Sequence, residues 1–220
     1  MTEPLGKQAR NHVNTCFLCI AKHVAGVCLK NHPRNLHYLC ITIENKRIKG
    51  CNRMFERFFP DEYLDSAYVV NYEKLYQEGY RGILFDIDNT LVPHGAPADP
   101  EAVRLFQKLR DIGFSCCLVS NNRKKRVEPF AASVGAQFIE MAAKPSRKGY
   151  ERAMERLGTN TGNTVFIGDQ LFTDIWGAKN AGLRNILVKP INPKEEIQIV
   201  LKRYLEKIVL HFYTKEEKNS

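Results

Sequence analysis

Two carboxylates, Asp86 and Asp88, flank Ile87 where the apolar run Ile83-Leu84-Phe85 gives way to Asn89-Thr90. One pleat step separates them, and a loop leaving a strand bends both toward the same opening. That geometry suits a nucleophile beside its own general acid, although a strand ending in an Asx-type turn has the same residues. Three further polar groups stand where apolar runs stop. Ser120-Asn121-Asn122 follows residues 114–119, Lys144 follows Ala142-Ala143, and Gly168-Asp169 follows residues 164–167, with Asp174 beyond. In an open parallel sheet the carboxyl ends of the strands share one edge, and ligands bind in the crevice there. Asp86, Asp88, Ser120, Lys144 and Asp169 are therefore expected to converge.

The elements that must position them alternate. The pattern predicts helix 61–77, strand 82–86, helix 99–111, strand 114–119, helix 123–133, strand 136–140, helix 146–157, strand 164–168, helix 173–181, strand 185–188 and helix 194–212. Strand and helix in strict alternation mean an α/β fold, a Rossmann-like doubly wound parallel sheet. With 44% hydrophobic residues the 220-residue chain can bury a full core. Residues 54–220 suffice for one such domain.

The ordered set Asp86-Ile87-Asp88-Asn89-Thr90-Leu91, Ser120, Lys144 and Gly168-Asp169-Gln170-Leu171-Phe172-Thr173-Asp174 resembles the four motifs of the haloacid dehalogenase (HAD) superfamily. The segment Phe59-Pro60-Asp61-Glu62-Tyr63 and the compact spacing look like the YqeG-type branch of subfamily IIIA, which is similar to phosphatidylglycerophosphate phosphatases. The resemblance covers residues 54–212. Only a short stretch, Val92 to Val103, separates the first motif from the next helix, and one helix and one strand fill the interval from Ser120 to Lys144. No cap domain fits, so the resemblance implies a HAD fold without one and an open site.

The resemblance also implies a reaction. Hydrolysis of a phosphomonoester needs a barrier reduction of roughly 20 kcal/mol or more. Asp86 would attack phosphorus to give an aspartyl-phosphate, while Asp88 protonates the leaving alkoxide and then takes a proton from water. A dianionic phosphate beside carboxylates calls for a divalent cation, and hard oxygen ligands favour Mg²⁺. Asp86 and Asp169 would hold the metal through side chains, and Asp88 through its backbone carbonyl. Ser120, Asn121 and Lys144 would bind the phosphoryl group. Asp174 would hold Lys144 or a metal-bound water. The basic run Arg123-Lys124-Lys125-Arg126 reads as a solvated helix face, with a grip on an anionic leaving group as the alternative, and His94 as a rim residue. A HAD-fold binding or regulatory protein of low turnover is the rival of another class, and intact Asp86, Asp88, Lys144 and Asp169 argue against it. A phosphotransferase or phosphomutase is the enzymatic rival, and an open site makes water hard to exclude.

Charge divides the chain. Residues 1–53 hold nine Lys or Arg against Glu3 and Glu44, so they carry most of the formal net charge of +9. The catalytic part is close to neutral, and nucleic acid is not an expected partner for it. Five of the seven cysteines and four of the six histidines also precede Met54. This basic leader has little helical or strand pattern. Its Cys16, Cys19, Cys28 and His32 have irregular spacing for zinc, and a disordered tail or a start placed too far upstream is the plainer expectation. No run of 18 apolar residues occurs, so no membrane-crossing helix is expected, and the free cysteines suit a cytoplasmic location. Cys116 and Cys117, adjacent on a strand, should face opposite ways and stay reduced. In the C-terminal helix, Ile197, Val200, Leu201, Tyr204, Leu205, Ile208, Val209 and Phe212 form an apolar stripe, with Lys202, Arg203, Glu206 and Lys207 on the other face. The stripe would dock on the sheet; its continuation offers surface for a homodimer or peripheral membrane contact.

Overall fold

The computed structural model describes residues 56–192 together with residues 206, 207, 209–211 and 213. They belong to one compact unit, Cys51–Ser220. The expectations for the leader, and most of those for the C-terminal helix, lie outside the described residues.

Among the described residues six parallel strands form one sheet: β1 (Glu62–Leu64), β2 (Gly82–Phe85), β3 (Ser115–Val119), β4 (Gln137–Ile139), β5 (Thr164–Gly168) and β6 (Arg184–Val188). Their spatial order is β1-β6-β5-β2-β3-β4. From β2 the chain winds outward through β3 and β4, then crosses to β5 on the opposite side of β2. The crevice at that reversal, between the carboxyl ends of β2 and β5, is where an open α/β sheet receives ligands.

The apolar runs are continuous because both faces of the central strands are covered. Ile83 and Phe85 of β2 pack with helices α1 (Tyr72–Gln77), α2 (Pro100–Ile112) and α3 (Lys124–Val134) through Tyr72, Phe106 and Phe130. Leu84 points the other way, into a smaller layer with Tyr150, Ala153 and Met154 of α4 (Lys148–Leu157) and Ala178 of α5 (Trp176–Asn180). Cys116 and Cys117 divide between the two layers as their alternation requires, both are free thiols, and burial pushes each up to about 12.

Helix α2 starts where Asp99 accepts a hydrogen bond from the Ala102 N–H and Pro100 occupies the first turn. It stops at Gly113, whose φ of 109° and close approach to the Tyr76 ring exclude a side chain. Among the described residues, neither the segment from β2 to α2 nor the segment from β3 to α4 carries an inserted domain.

Three expectations need correction. The helix expected over 61–77 is a strand, β1, then a 3-10 turn (Ala67–Val69) and the short α1. Strand β1 pairs with β6, Tyr63 opposite Leu187, so the sheet has one more strand than the five expected. The helix expected over 173–181 begins as a π-helical turn, Leu171–Ile175, before α5. Glu206, assigned to the polar face of the C-terminal helix, is buried and accepts a hydrogen bond from the Leu171 N–H at 2.9 Å. Val209 and Tyr213 are buried with it, and the Tyr213 ring meets Phe59 edge-on.

Candidate active site

Asp86 leaves β2 with its N–H still bonded to the Ile167 carbonyl of β5, so the nucleophile candidate sits on the end of the central ladder. The chain then turns sharply. The Ile87 carbonyl accepts from the N–H groups of Thr90 and Leu91, and Asn89 takes the left-handed conformation, φ 65°. That turn presents Asp86, Asp88 and Thr90, all buried, at the sheet edge.

Lys144 is buried between two carboxylates. Its Nζ donates to Asp86 Oδ1 at 2.5 Å and to Asp174 Oδ1 at 2.7 Å. The lysine arrives from the loop after β4, where Met141 and Ala143 both have positive φ, 45° and 55°. Such conformations are unfavourable for side chains larger than glycine and persist only where the surroundings over-determine them. Here those surroundings are the end of β3. Ala142 N–H donates to the Ser120 carbonyl and Met141 N–H to the Asn122 carbonyl. The Asn121 amide accepts from Lys144 N–H at 2.7 Å and donates to the Lys144 carbonyl at 3.3 Å.

Asp174 lies in the π-helical turn after β5. Its Oδ2 accepts from the Gln170 N–H at 3.0 Å, and the buried Tyr150 hydroxyl donates to the Thr173 and Asp174 carbonyls of the turn. Gly168 lets this carboxylate approach, since a Cβ there would come within 2.8 Å of the Asp174 side chain. Asp169, also buried, accepts a hydrogen bond from the Thr90 hydroxyl at 3.1 Å.

Asp88 faces a different set of partners. Its Oδ1 accepts from Gly95 N–H at 2.8 Å and from Arg126 Nη2 at 2.9 Å, and its Oδ2 accepts from Asn122 Nδ2 at 2.6 Å. Ser120 Oγ accepts from the Asn122 N–H, which leaves its own O–H to donate.

Burial above all, helped by the negative charges of Asp174 and Asp88, raises the Asp86 carboxyl to about 7 against the opposing pull of the Lys144 ammonium. Burial alone would lower Lys144, but the carboxylates of Asp174 and Asp86 outweigh it and hold the ammonium above its ordinary value. Asp86, Asp169 and Asp174 each offer a carboxylate oxygen within 4.8 Å of the others. Three buried carboxylates beside one ammonium leave an excess of negative charge, and every donor is a hard oxygen. That set fits a small divalent cation.

All of the expected residues thus reach one edge. Asp86, Lys144, Asp169 and Asp174 form one cluster; Asp88 and Ser120 lie on the Asn122 side; Asn121 joins β3 to Lys144. His94 is exposed in the adjoining loop. Sequence reasoning gave no role to Asn122 or Thr90 and read Arg126 chiefly as surface. Arg126 was masked by its basic run, although it falls next to the buried Val127 in the first turn of α3.

Known proteins give this site its setting. Residues 94–182 match the family model of haloacid dehalogenase-like hydrolases. The chain is 35% identical to the probable phosphatase YqeG of Bacillus subtilis over 71% of its own length and 92% of that protein. It is 24% identical to the chloroplastic/mitochondrial phosphatidylglycerophosphate phosphatase 1 of Arabidopsis thaliana, over 63% of this chain and 45% of that protein. Among solved structures, a 3-deoxy-D-manno-octulosonate 8-phosphate phosphatase from Moraxella catarrhalis matches at 16% identity and a TM-score of 0.43, over 55% of this chain and 75% of that one. The chain belongs to the haloacid dehalogenase-like hydrolases, as a YqeG-type member, and is a phosphoric monoester hydrolase.

Proposed function

We propose that this phosphatase is Mg²⁺-dependent and works through an aspartyl-phosphate on Asp86. The observation that carries the reading is the Lys144 ammonium held between Asp86 and Asp174, with Asp169 beside them and Asp88 separately anchored. Asp86 and Asp169 side chains and the Asp88 carbonyl would hold Mg²⁺, which would neutralise phosphoryl charge as the bond to phosphorus forms. Lys144 fixes Asp86 through Oδ1 and places a positive charge at the reacting group. The carboxylate attacks phosphorus, the bond to the ester oxygen breaks, and Asp88 gives that oxygen its proton. Asp88 then takes a proton from water as the water attacks phosphorus and releases Asp86. Ser120 O–H and the Asn121 backbone donate to the phosphoryl oxygens.

A large, lipid-linked phosphomonoester is the substrate class this open edge suits best. A site without an inserted cap leaves room for a leaving group that stays partly outside. Similarity to a phosphatidylglycerophosphate phosphatase supports the same choice. Subfamily IIIA, a single catalytic domain from residue 54 onward and a cytoplasmic location with peripheral membrane contact belong to this reading. No helix among the described residues is long and apolar enough to cross a membrane. The test is a panel of phosphomonoesters, including phosphosugars, nucleotides and phosphatidylglycerophosphate in mixed micelles, assayed with Mg²⁺ and with EDTA. The proposal expects one class to be hydrolysed and EDTA to stop it. Turnover that survives complete chelation would overturn the metal assignment.

A further inference from the structure

We infer that Arg126, with Asn122, is a positioning residue that fixes which way the Asp88 carboxylate faces. The inference rests on the acid and base role proposed above for Asp88. A carboxylate on a turn can rotate about its terminal torsion, which is broad and two-fold. Three donors remove that freedom here. Gly95 N–H and Arg126 Nη2 both bind Oδ1, and Asn122 Nδ2 binds Oδ2. With two donors on Oδ1, the oxygen left to exchange a proton is Oδ2. Asn122 lies in the bend before α3 and Arg126 in its first turn, so the short segment entering the helix sets both donors against opposite ends of the same carboxylate.

A second observation concerns the arginine's remaining donors. Arg126 Nε is buried with no hydrogen-bond partner. Buried donors are rarely left so, because each forfeits its hydration without replacement. The side chain keeps Nη2 on Asp88 and lies 5.5 Å from the Phe130 ring centroid, with Nε unpaired. Local cost beside a reacting group is the pattern expected where geometry serves the reaction.

The test compares Arg126→Gln, Arg126→Lys, Asn122→Ala, Asp88→Asn and the double variant Asp88→Asn/Arg126→Gln in the full chain. Substrates run from p-nitrophenyl phosphate, whose leaving group needs no proton, to glycerol 2-phosphate, whose leaving group does. Misplacing the acid should lower kcat for glycerol 2-phosphate by about 10²-fold in Arg126→Gln and in Asn122→Ala, and far less for p-nitrophenyl phosphate. Arg126→Lys should restore part of the loss, as a charge without the planar fork. The double variant should be no slower than Asp88→Asn. Equal losses on both substrates, or losses that add in the double variant, would overturn the positioning role while leaving Asp88 in place. An Asp88→Asn enzyme with no leaving-group dependence would overturn both, and tell the two failures apart.

Discussion

The Asn121 side chain brackets the backbone of Lys144, accepting from its N–H at 2.7 Å and donating to its carbonyl at 3.3 Å. The next residue, Asn122, turns to Asp88. Two consecutive amides at the end of β3 thus serve the two halves of the site, one holding Lys144 and the other Asp88.

Asn121→Ala should therefore act on Lys144 rather than on the core. Asn121 is exposed, and two hydrogen bonds of ordinary strength put the stability loss at about 1–3 kcal/mol. Turnover should fall further in proportion, by about 10–100-fold, the usual effect of removing a group that orients a metal-site partner. Steady-state kinetics beside urea unfolding would check it; full activity in the variant would mean that the loop after β4 holds Lys144 unaided.

The central strands and the polar groups at their ends were legible in the sequence because strands covered on both faces are continuous apolar runs, and because each run stops at the same edge. Strand β1 was not. Glu62-Tyr63-Leu64 is short, half-buried and includes a charged residue, and only its pairing with β6 makes it a strand. The π-helical turn was hidden because apolar spacing over Leu171–Ile175 does not distinguish a wide turn from an α-helical one; tertiary contacts from Tyr150 and Glu206 accompany it. Glu206 itself looked solvent-facing beside Lys207, and its hydrogen bond from the Leu171 N–H is too distant in sequence for a local pattern to reveal. Arg126 was missed for the opposite reason, a basic run being the common composition of an exposed face.

Asp86→Asn should abolish turnover and keep the fold. The amide preserves shape but is a poor nucleophile, and Lys144 retains its bond to Asp174. Circular dichroism would verify folding, and release of inorganic phosphate from the best substrate would report activity. More than a few per cent of the wild-type rate would sink the nucleophile assignment.

Asp169→Ala should abolish Mg²⁺ stimulation, because it removes one of the two side chains assigned to the metal and leaves the Thr90 hydroxyl without its carboxylate partner. Isothermal titration calorimetry with Mg²⁺ is the direct measurement. Unchanged affinity would require the ion to sit elsewhere.

Gly168→Ala carries a methyl group into the Asp174 carboxylate, at a position where the ideal Cβ comes within 2.8 Å of it. Strand β5 is buried along its whole length, so the clash cannot be relieved into solvent. The expected cost is about 1–3 kcal/mol, as for other overpacked sites. Activity should fall with it, since a displaced Asp174 no longer steadies Lys144. Urea unfolding gives the first quantity and kcat the second; a variant equal to wild type in both would show that the turn yields freely.

A chain shortened to begin at Met54 should fold and keep its phosphatase activity, whereas one beginning at Glu62 should not. The difference lies in three residues that the second loses. Phe58 is buried with its ring edge-on to Phe172 and Trp176, at 5.1 and 5.5 Å between centroids. Phe59 is buried against Tyr213. Asp61 accepts from the backbone and side-chain N–H groups of the buried Asn185 at 2.9 and 2.7 Å, so its removal strands polar groups inside the sheet edge. Loss of each phenylalanine costs about 3–5 kcal/mol, a large share of the stability of an ordinary domain. Thermal melts and kcat/KM of the two shortened chains against the full one decide the matter. Stoichiometric zinc in the full chain, together with lost stability or activity in the chain from Met54, would make residues 1–53 a structural module in their own right.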